Sequence, residues 1–358
     1  MHKKKLSISP AWVFHTDDGD LFEPVLFRLL ESIRDSGKLT TAASSAGISY
    51  RHAWNLLNRG ADTFGLPLVV MRKGHGTELS ALGEKLLWAD QRVKARLGPQ
   101  IDNMASEFND QIQQLLAGRH PVLRLHASHG YAVALLPEFS DQVEINLQYR
   151  NPEEALTALN RGECDLASFH FPTNPKRARE IMAHYEHQLA VKRFRLIRFV
   201  TRREGLMVRK DAPVKVSSLA ELANSGLRFI GRDRHSGTRI LFNLLLRQAG
   251  LSEDSINRSP QHEFTHTAVA AFVASGMADV GFGVEAAASQ FNLDFVEMAC
   301  EHYLLLCHED RLEQGDLSHL IELIRSQAFV DRIHDLPGYE PDNPGTVTTF
   351  EQLLAGNG

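Results

Sequence analysis

Beyond Gly118, short apolar runs typical of strands alternate with longer runs of helical spacing, and this alternation constrains the fold more than any other feature of the sequence. The predicted strands are Val122–His126, Val143–Gln148, Leu166–Phe169, Phe194–Val200, Gly205–Val208, Leu227–Ile230 and Asp279–Phe282. The predicted helices are His129–Phe139, Glu153–Asn160, Ser218–Ala223, Gly237–Gln248 and Thr267–Ala274. Such alternation predicts an α/β domain with a mostly parallel sheet. Two such units joined by crossing strands make a two-lobed clamp.

The residues before this domain follow a different pattern. Apolar residues at helical spacing predict a helix over Pro24–Ile33, a short Ala-rich helical turn follows, and Ser49 is placed as the N-cap of a further helix. A strand over Leu68–Met71, a basic tip bracketed by glycines and a return at Thr77–Leu79 complete the pattern. This order predicts a winged helix-turn-helix.

The helix after Ser49 is expected to turn Ala53, Trp54 and Leu57 into the core and its polar residues outward. Residues 28–100 contain 11 Lys/Arg and 6 Asp/Glu, whereas the whole chain has a net charge of −5, so positive charge is concentrated here. Such a unit can be purely structural, but its order and charge together favour binding to double-stranded DNA. The candidate DNA-binding residues are Thr41, Ser49, Tyr50, Arg51, His52, Asn55, Arg59, Arg72, Lys73 and His75.

Residues 81–118 carry an apolar stripe at three- and four-residue steps, which predicts a long linker helix. Gly98-Pro99 is expected to break or kink it, because proline removes a backbone donor. The stripe, which includes Val93 and Leu97, either packs on its own domain or pairs with a second copy of the chain. Pairing is favoured because two-fold DNA sites require two recognition helices. We therefore expect a homodimer, with a tetramer as the alternative.

Short polar residues stand at three predicted strand-to-helix junctions, where free backbone N–H groups favour anions. The junctions are Ala127–His129, Arg232–Arg239 and Glu263–Thr267. Each has an ordinary interpretation as a helix cap. Three equivalent junctions, one of them rich in arginine, favour a small anionic ligand in one cleft. His170, predicted to follow a strand directly, either lines this cleft or is a structural histidine.

Other chemistries find less support. The 17 histidines and three cysteines show no metal-type spacing, so no metal site is predicted. The loop between Gly231 and Gly237 lacks the ending of a phosphate loop, and no catalytic set can be placed by spacing, so neither an enzyme nor a cofactor is predicted. The odd cysteine count and the lack of an apolar run of membrane-spanning length predict a cytoplasmic protein without a membrane partner.

Two families resemble parts of this sequence. The segment GKLTTAASSAGISYRHAWNLLNRGADTFGLPLVVMRKGHGTELSALGEKLL, above all AASSAGISYRHAW and GLPLV, resembles the winged helix-turn-helix of ModE-type, molybdate-responsive transcriptional regulators. Its wing and the Leu-Ser-Ala-Leu-Gly that follows are also similar to LysR-type regulators. The second half, through ASHG, GRDRHSGTR, THTAVAAFVASGMADVGFG and LDFVEMACEHYLL, resembles the periplasmic-binding-protein-like domain fused to such modules. Unlike ModE regulators proper, the chain contains no molybdate-binding β-barrel segment.

The resemblance implies a pocket and a class of ligand. The candidate ligand-binding residues are Ser128, His129, His170, Arg232, Ser236, Gly237, Thr238, Arg239, Thr265, His266 and Tyr303. The implied ligand is molybdate, tungstate or a compound related to the molybdenum cofactor. The implied targets are genes for molybdate uptake or for molybdoenzymes such as formate dehydrogenase.

The sequence therefore predicts a multidomain α and α/β protein. It comprises a winged helix-turn-helix at residues 20–80, a linker and dimerisation helix at 81–118, and a two-lobed periplasmic-binding-protein-like effector domain at 119–340. The predicted function is that of a one-component transcriptional regulator that senses a small anion. One alternative is a cytoplasmic solute-binding or carrier protein whose N-terminal module mediates protein contacts. Another is an enzyme that handles the molybdenum cofactor.

Overall fold

The computed structural model of the protein describes residues 14–15, 19, 21–72, 76–115, 122–140, 143–190 and 194–355. Internal contacts divide the chain into two compact units, Ser9–Gly98 and Pro99–Gly358. We call them the N-terminal unit and the α/β unit, and describe each by itself.

The N-terminal unit consists of helices followed by a hairpin. Its elements are β1 (Phe14–His15), β2 (Leu21–Phe22), α1 (Pro24–Ser36), α2 (Leu39–Ser45), α3 (Tyr50–Phe64), β3 (Val69–Arg72), β4 (Gly76–Leu79) and the first part of α4 (Ala81–Leu115). β3 and β4 pair antiparallel, with Val69 opposite Leu79. The helices and the hairpin follow one another in the order that the sequence predicts.

The core of this unit forms where the apolar faces of α1, α2 and α3 meet. In α3 the buried face consists of Ala53, Leu56, Leu57 and Gly60. Trp54 is 41% exposed, so the prediction that it is a core residue is wrong. Successive helical residues lie about 100° apart, so Trp54 turns away from Ala53, whereas positions three and four residues further on return to the same face.

The start of α4 packs closely on the hairpin. The Ser80 hydroxyl accepts a hydrogen bond from the Gly83 N–H at 3.1 Å, and the Ser80 N–H donates to the Leu68 carbonyl at 2.9 Å. A Cβ on Gly83 would lie 2.1 Å from the Leu68 oxygen. Only glycine therefore allows this approach of helix and strand.

Helix α4 is continuous from Ala81 to Leu115 and runs through Pro99, so of the predicted break or kink at Gly98-Pro99 the break does not occur. An interior proline costs a helix about 3 kcal/mol, a cost that tertiary contacts on both sides of Pro99 can offset. Before it, the Gln91 amide donates to the Glu31 carboxylate of α1 at 3.0 Å. The boundary between the two units falls inside α4, so each unit contains part of this helix.

After Pro99, α4 packs on the α/β unit through polar side chains. The Asn103 amide donates to the Tyr149 carbonyl at 3.0 Å, and the Asn103 Oδ1 accepts from the Tyr149 N–H at 2.6 Å. The Ser106 hydroxyl donates to the Leu147 carbonyl at 2.9 Å. The side chain of Asn103 thus makes both hydrogen bonds that a neighbouring strand would make, and this closes the edge of the sheet.

The α/β unit contains most of the chain. Its further elements are β5 (Val122–Ala127), α5 (Tyr131–Phe139), β6 (Glu144–Tyr149), α6 (Pro152–Arg161), β7 (Leu166–Pro172), α7 (Pro175–His184), α8 (Glu186–Leu189), β8 (Phe194–Val208), α9 (Leu219–Ser225), β9 (Phe229–Arg232), α10 (Gly237–Gln248), β10 (Arg258–Glu263), α11 (His266–Ala274), β11 (Val280–Val284), α12 (Glu285–Gln290), β12 (Asp294–His308), α13 (Gly315–Arg325), α14 (Gln327–His334), β13 (Tyr339–Pro341), β14 (Val347–Thr348) and α15 (Phe350–Ala355).

One mixed sheet runs through this unit in the order β10-β9-β11-β8-β12-β7-β5-β6, and β13 and β14 also pair with β8. Pairing is parallel at the two ends of the sheet, between β5, β6 and β7 and between β9, β10 and β11. The central strands β8 and β12 pair antiparallel with each other and with their neighbours. The prediction of a mostly parallel sheet therefore fails at its centre.

The strand β8 covers the two segments that the sequence predicts as separate strands. Charged residues at 202–204 interrupt the apolar pattern there, and such an interruption is typical of a loop. In the structure β8 is a single strand of 15 residues, and β12 pairs with it along its whole length. We call β8 and β12 the crossing strands.

Two apolar clusters lie on either side of the crossing strands. One surrounds Phe169 and Phe171 of β7, and the other surrounds Phe229 of β9 and Phe242 of α10. We call the part built on β5, β6 and β7 the first lobe, and the part built on β9, β10 and β11 the second lobe. No helix in the described part of the chain is long and apolar enough to cross a membrane.

Replacing Gly83 with alanine is expected to destabilise the N-terminal unit, because the new Cβ would meet the Leu68 backbone oxygen. We expect the free energy of unfolding to fall by about 1–3 kcal/mol. Urea unfolding followed by tryptophan fluorescence measures this, since Trp54 and Trp88 both belong to this unit. The matched control is Gly98→Ala in the same helix and the same unit, where no atom lies within 4 Å of the added Cβ. Equal effects of the two substitutions would contradict the close approach.

Candidate functional site

The exposed face of α3 carries most of the candidate DNA-binding residues. Ser49 caps the helix, its hydroxyl accepting from the His52 N–H at 3.2 Å. Arg51, Asn55 and Arg59 follow at four-residue steps, so their exposed side chains lie along one line. These five residues, together with Leu56, line a groove beside the helix.

Two other candidates of this group, Tyr50 and Thr41, do not line that groove. Tyr50 is 50% exposed at the start of α3, and Thr41 is exposed on α2. Arg72 ends β3, and its side chain lies outside the described residues, as do Lys73 and His75.

The second candidate site is a buried polar cluster at the crossing strands. Arg202 and Glu204 lie on the same face of β8, and Glu301 of β12 is the register partner of Arg202. Each of these three side chains is at most 1% exposed. The Arg202 Nη2 lies 3.0 Å from the Glu204 Oε1 and 2.9 Å from the Glu301 Oε2. The sequence prediction missed all three residues.

Residues of the first lobe join this cluster. His170 lies within β7 and not directly after a strand as predicted. Its Nδ1 is 3.2 Å from the Glu301 Oε2, and its ring stacks on Tyr303 with centroids 5.8 Å apart. The Tyr303 hydroxyl donates to the Ser128 carbonyl at 2.6 Å. Ser128 does not cap α5, because the N-cap is Gly130, and its own hydroxyl is buried without a hydrogen-bond partner.

His129 stands beside these residues, between β5 and α5. Its Nδ1 is buried without a partner, and its ring centroid lies 4.9 Å from that of Tyr149 in β6. Tyr149 is the residue whose backbone binds Asn103 of α4. A short chain of contacts therefore leads from the cluster to α4.

The second lobe contributes two helix starts. Ser236 caps α10 and Thr265 caps α11, their hydroxyls accepting from the backbone N–H groups of Arg239 and Ala268. For these two hydroxyls the interpretation as helix caps is correct. The side chains of Thr238 in α10 and His266 in α11 face Glu204. The Glu204 Oε1 accepts from the Thr238 hydroxyl at 3.2 Å and lies 3.8 Å from the His266 Nε2.

Gly237 is the point where α10 comes closest to the first lobe. A Cβ at this position would lie 2.3 Å from the Cε1 of His170. The two lobes therefore meet at the cluster, and a side chain at Gly237 would separate them.

Arg232 and Arg239, the two arginines predicted to face one ligand, behave differently. Arg232 is 7% exposed at the end of β9 and donates to the Phe264 carbonyl at 2.7 Å, while its Nε and Nη1 are buried without a partner. Arg239 pairs instead with Glu253 at 2.6 Å and is not part of the cluster. On the helix its side chain starts one position beyond Thr238, which faces Glu204, and so points about 100° away.

We call the ten side chains that meet here the central cluster: Ser128, His129, His170, Arg202, Glu204, Arg232, Thr238, His266, Glu301 and Tyr303. Burial, together with Arg232 and Arg202, lowers the pKa of His129 to about 3 and that of His266 well below its usual range. Burial also lowers the pKa of His170. The three histidines are therefore neutral at neutral pH.

The carboxyl groups of Glu204 and Glu301 in the central cluster have widely different pKa values. Burial and the neighbouring Glu301 raise the pKa of Glu204 to about 8. Burial opposes ionisation of Glu301 too, but His170 and Arg202 hold its pKa below the usual range. Burial lowers the pKa of Arg232 to about 10, which leaves it charged. Two cations, one carboxylate and one neutral carboxylic acid then leave an excess positive charge near neutral pH.

Such a site can bind an anion through buried N–H and O–H donors. Among the described residues, no group of three or more His, Cys, Asp or Glu side chains could hold a metal ion. The sequence signal for the residues that the prediction missed is the run RFVTRREGLMV, where charged residues continue a strand pattern. Charged residues inside a buried strand are rare unless they are paired.

Curated proteins match parts of the chain. It is 27% identical over 202 residues to the uncharacterized protein YvgK of Bacillus subtilis, which covers 56% of this chain and 64% of that protein. It is 31% identical over 111 residues to an uncharacterized Clostridium pasteurianum protein encoded in the 5′ region of a 2Fe-2S ferredoxin gene, covering 31% of this chain and 98% of that one. It is 27% identical over 99 residues to the molybdenum transport protein ModE of Azotobacter vinelandii, covering 26% of this chain and 37% of ModE.

Among solved structures, the chain is similar to OxyR of Corynebacterium glutamicum at 15% identity, with a TM-score of 0.45 over 87% of this chain and 94% of that one. The profile of a protein family, the PBP superfamily domain, matches residues 135–325. This match covers more than half of the 358 residues and contains the second lobe's two helix starts at 236 and 265. The chain therefore belongs to the PBP superfamily.

Proposed function

We propose that the protein is a ligand-sensing transcriptional regulator, in which the central cluster binds a small oxyanion and the N-terminal unit, as a winged helix-turn-helix, binds double-stranded DNA. The observation that carries the ligand half is the buried guanidinium of Arg232, of which two nitrogens have no partner. A buried charge without a partner is costly. An anion at this position removes that cost.

Further buried hydrogen-bond donors support an anion site in the central cluster. The Ser128 hydroxyl, the His129 Nδ1 and the Arg202 Nη1 are also buried without partners. The Arg202 Nη1 lies 3.7 Å from where a Cβ on Gly130 would be, which places it at the start of α5. Donors from both lobes and from a crossing strand favour a compact, multiply charged ligand. The similarity to ModE, a molybdenum transport protein, favours molybdate, tungstate or a compound related to the molybdenum cofactor, and genes of molybdate uptake or molybdoenzymes as targets.

The DNA half rests on the exposed groove of α3. Arginine reads guanine and asparagine reads adenine through paired hydrogen bonds in the major groove. Arg51, Asn55 and Arg59 present these groups along one helix face, and no described acidic residue lines the groove. Thr41, Tyr50 and the hairpin residues Arg72, Lys73 and His75 are proposed to contact the flanking phosphates.

We also propose that the protein is a homodimer and that α4 contributes to its interface. Met104 is 63% exposed and Phe108 48% exposed on α4, whereas Asn103 and Ser106 on the same helix contact β6. An apolar outer face above a polar inner one is the reverse of an ordinary surface helix. A second copy of α4 would cover this apolar face and would bring two DNA-binding units together.

Arg51→Ala is expected to weaken binding to DNA by about 1–3 kcal/mol, because a bidentate contact to guanine is lost. The measurement is fluorescence anisotropy with a duplex selected by the wild-type protein from a random library. Arg28→Ala, which removes the same charge from the exposed face of α1, is the control and is expected to have a much smaller effect. Equal losses for both variants would argue that α3 is not the reading helix.

Arg232→Gln is expected to abolish stabilisation of the protein by an oxyanion. At a hundred times its dissociation constant, an anion should stabilise the wild type by about 2.7 kcal/mol. A thermal-shift screen with molybdate, tungstate, sulfate and phosphate measures this. The control is Arg239→Gln, the same change on an arginine that pairs with Glu253 outside the central cluster. If no anion shifts the wild type, or if Arg232→Gln responds as the wild type does, the anion site is wrong.

Asn103→Ala is expected to uncouple the two halves of the proposed function, because Asn103 joins α4 to the backbone of Tyr149, whose ring contacts His129. Affinity for the anion and for DNA, each measured alone, should stay within about twofold, while the effect of the anion on DNA affinity should disappear. Gln100→Ala, on an exposed position of the same helix, is the control. A variant that keeps the full effect of the anion would exclude this route.

A further inference from the structure

We infer that Glu204 is an internal competitor of the anion in the central cluster, so that binding of an oxyanion is coupled to the uptake of one proton by this carboxyl group. The inference rests on the proposed anion site. It adds the regulation of anion binding by pH.

Glu204 already occupies the place of an anion. Its Oε1 lies 3.0 Å from the Arg202 Nη2 in an ion pair and accepts from the Thr238 hydroxyl at 3.2 Å, and the His266 Nε2 is 3.8 Å away. Thr238 lies in the first turn of α10, and His266 is the first residue of α11. The carboxyl group thus lies between two helix starts and a guanidinium, which are the groups that bind anions in proteins.

The neighbouring carboxyl group of Glu301 gives Glu204 a second charge state. The Glu204 Oε1 and the Glu301 Oε2 lie 3.0 Å and 2.9 Å from the same nitrogen, the Arg202 Nη2. Two carboxylates this close together in a buried site repel each other, which favours a proton on one of them. Glu301 is hydrogen-bonded to both Arg202 and His170, which stabilises its ionised form. The proton therefore belongs to Glu204.

The charge balance of the central cluster disfavours an anion when the Glu204 carboxyl group is ionised. With both glutamates ionised, they balance Arg202 and Arg232, and an added oxyanion would leave excess negative charge in a fully buried site. With Glu204 protonated, one positive charge is in excess, and it offsets one of the two negative charges of an oxyanion such as sulfate or tungstate. Because unbalanced buried charge is expensive, the anion binds to the protonated form.

Titratable groups from several neighbouring elements face Glu204. They are Arg202 on its own strand, Glu301 on β12, Arg232 on β9, His266 on α11, His170 on β7, His129 after β5 and Tyr339 on β13. The three histidines have lowered pKa values, the pKa of Tyr339 is raised by burial, and that of Arg232 is about 10. Glu204, with a pKa of about 8, is the member of this set that changes charge between pH 7 and pH 9.

The expected pH dependence of anion affinity follows from the titration of Glu204. Below about pH 7.5, Glu204 carries its proton in the free protein and the affinity for the anion is independent of pH. Above about pH 8, the free protein loses the proton and must regain it to bind. The dissociation constant should then rise about tenfold for each pH unit.

Isothermal titration calorimetry of the full-length protein with tungstate and with sulfate tests this coupling. Neither probe changes its own charge between about pH 6.5 and about pH 9.5, so a change in affinity reports on the protein. Repeating each titration in buffers of different ionisation enthalpy counts the protons taken up. We expect close to one proton per anion at about pH 9 and close to none at about pH 6.5.

Glu204→Gln keeps the shape and removes the titration. Its anion affinity should be independent of pH, with no proton uptake, while Glu322→Gln, the same change at an exposed position of α13, should behave as the wild type. If Glu204→Gln does not fold, the number of protons that the wild type takes up on binding an anion still tests the coupling. Binding without proton uptake at about pH 9 overturns the coupling alone. Failure of both probes to bind at about pH 6.5 overturns the anion site and the coupling with it.

Discussion

The guanidinium of Arg202 is the interaction on which the α/β unit depends. It joins the two crossing strands through Glu301, contacts His170 of the first lobe, and packs over the ring of Tyr303 at 5.0 Å. Through Glu204 it also reaches the starts of α10 and α11 in the second lobe. Charges this deeply buried are tolerated only when they are paired. Arg202 therefore places elements of both lobes, and removing it would leave two buried carboxyl groups without their counter-ion.

The pairing of buried charges in the central cluster is incomplete at Arg232. Arg202 has two carboxyl partners at hydrogen-bonding distance, whereas Arg232 donates only to a backbone carbonyl and keeps two buried nitrogens without partners. Natural proteins satisfy most of their buried polar groups, and exceptions concentrate at sites of function. In the proposed function, an anion recovers the free energy that the unpaired nitrogens of Arg232 cost. In the further inference, the proton of Glu204 takes part in the same proposed equilibrium.

Helix α4 connects the α/β unit, which contains the central cluster, to the N-terminal unit. Its first part contacts α1 through Gln91, and its second part closes the edge of the sheet at β6 through Asn103. A polar contact of this kind has a defined register, because a shift by one residue breaks both hydrogen bonds. Tyr149 carries both this contact and the ring that packs on His129. A change at His129 thus has a short path to α4, and the proposal of a regulator depends on that path.

The sequence by itself determined the local structure: the helices of the N-terminal unit, the Ser49, Ser236 and Thr265 caps, and the alternation of strands and helices all follow from residue spacing and capping chemistry. It also located His170, Arg232 and Tyr303 as candidates. Only the tertiary structure decided which candidates meet. Arg239 turns to Glu253, Trp54 turns to solvent, and Pro99 stays within a helix, since packing outweighs local preference. Glu301 lies about a hundred residues beyond Arg202 and Glu204 in the chain, and no local pattern pairs it with them. Their charges are stable in the core only because antiparallel pairing of β8 and β12 brings them into contact.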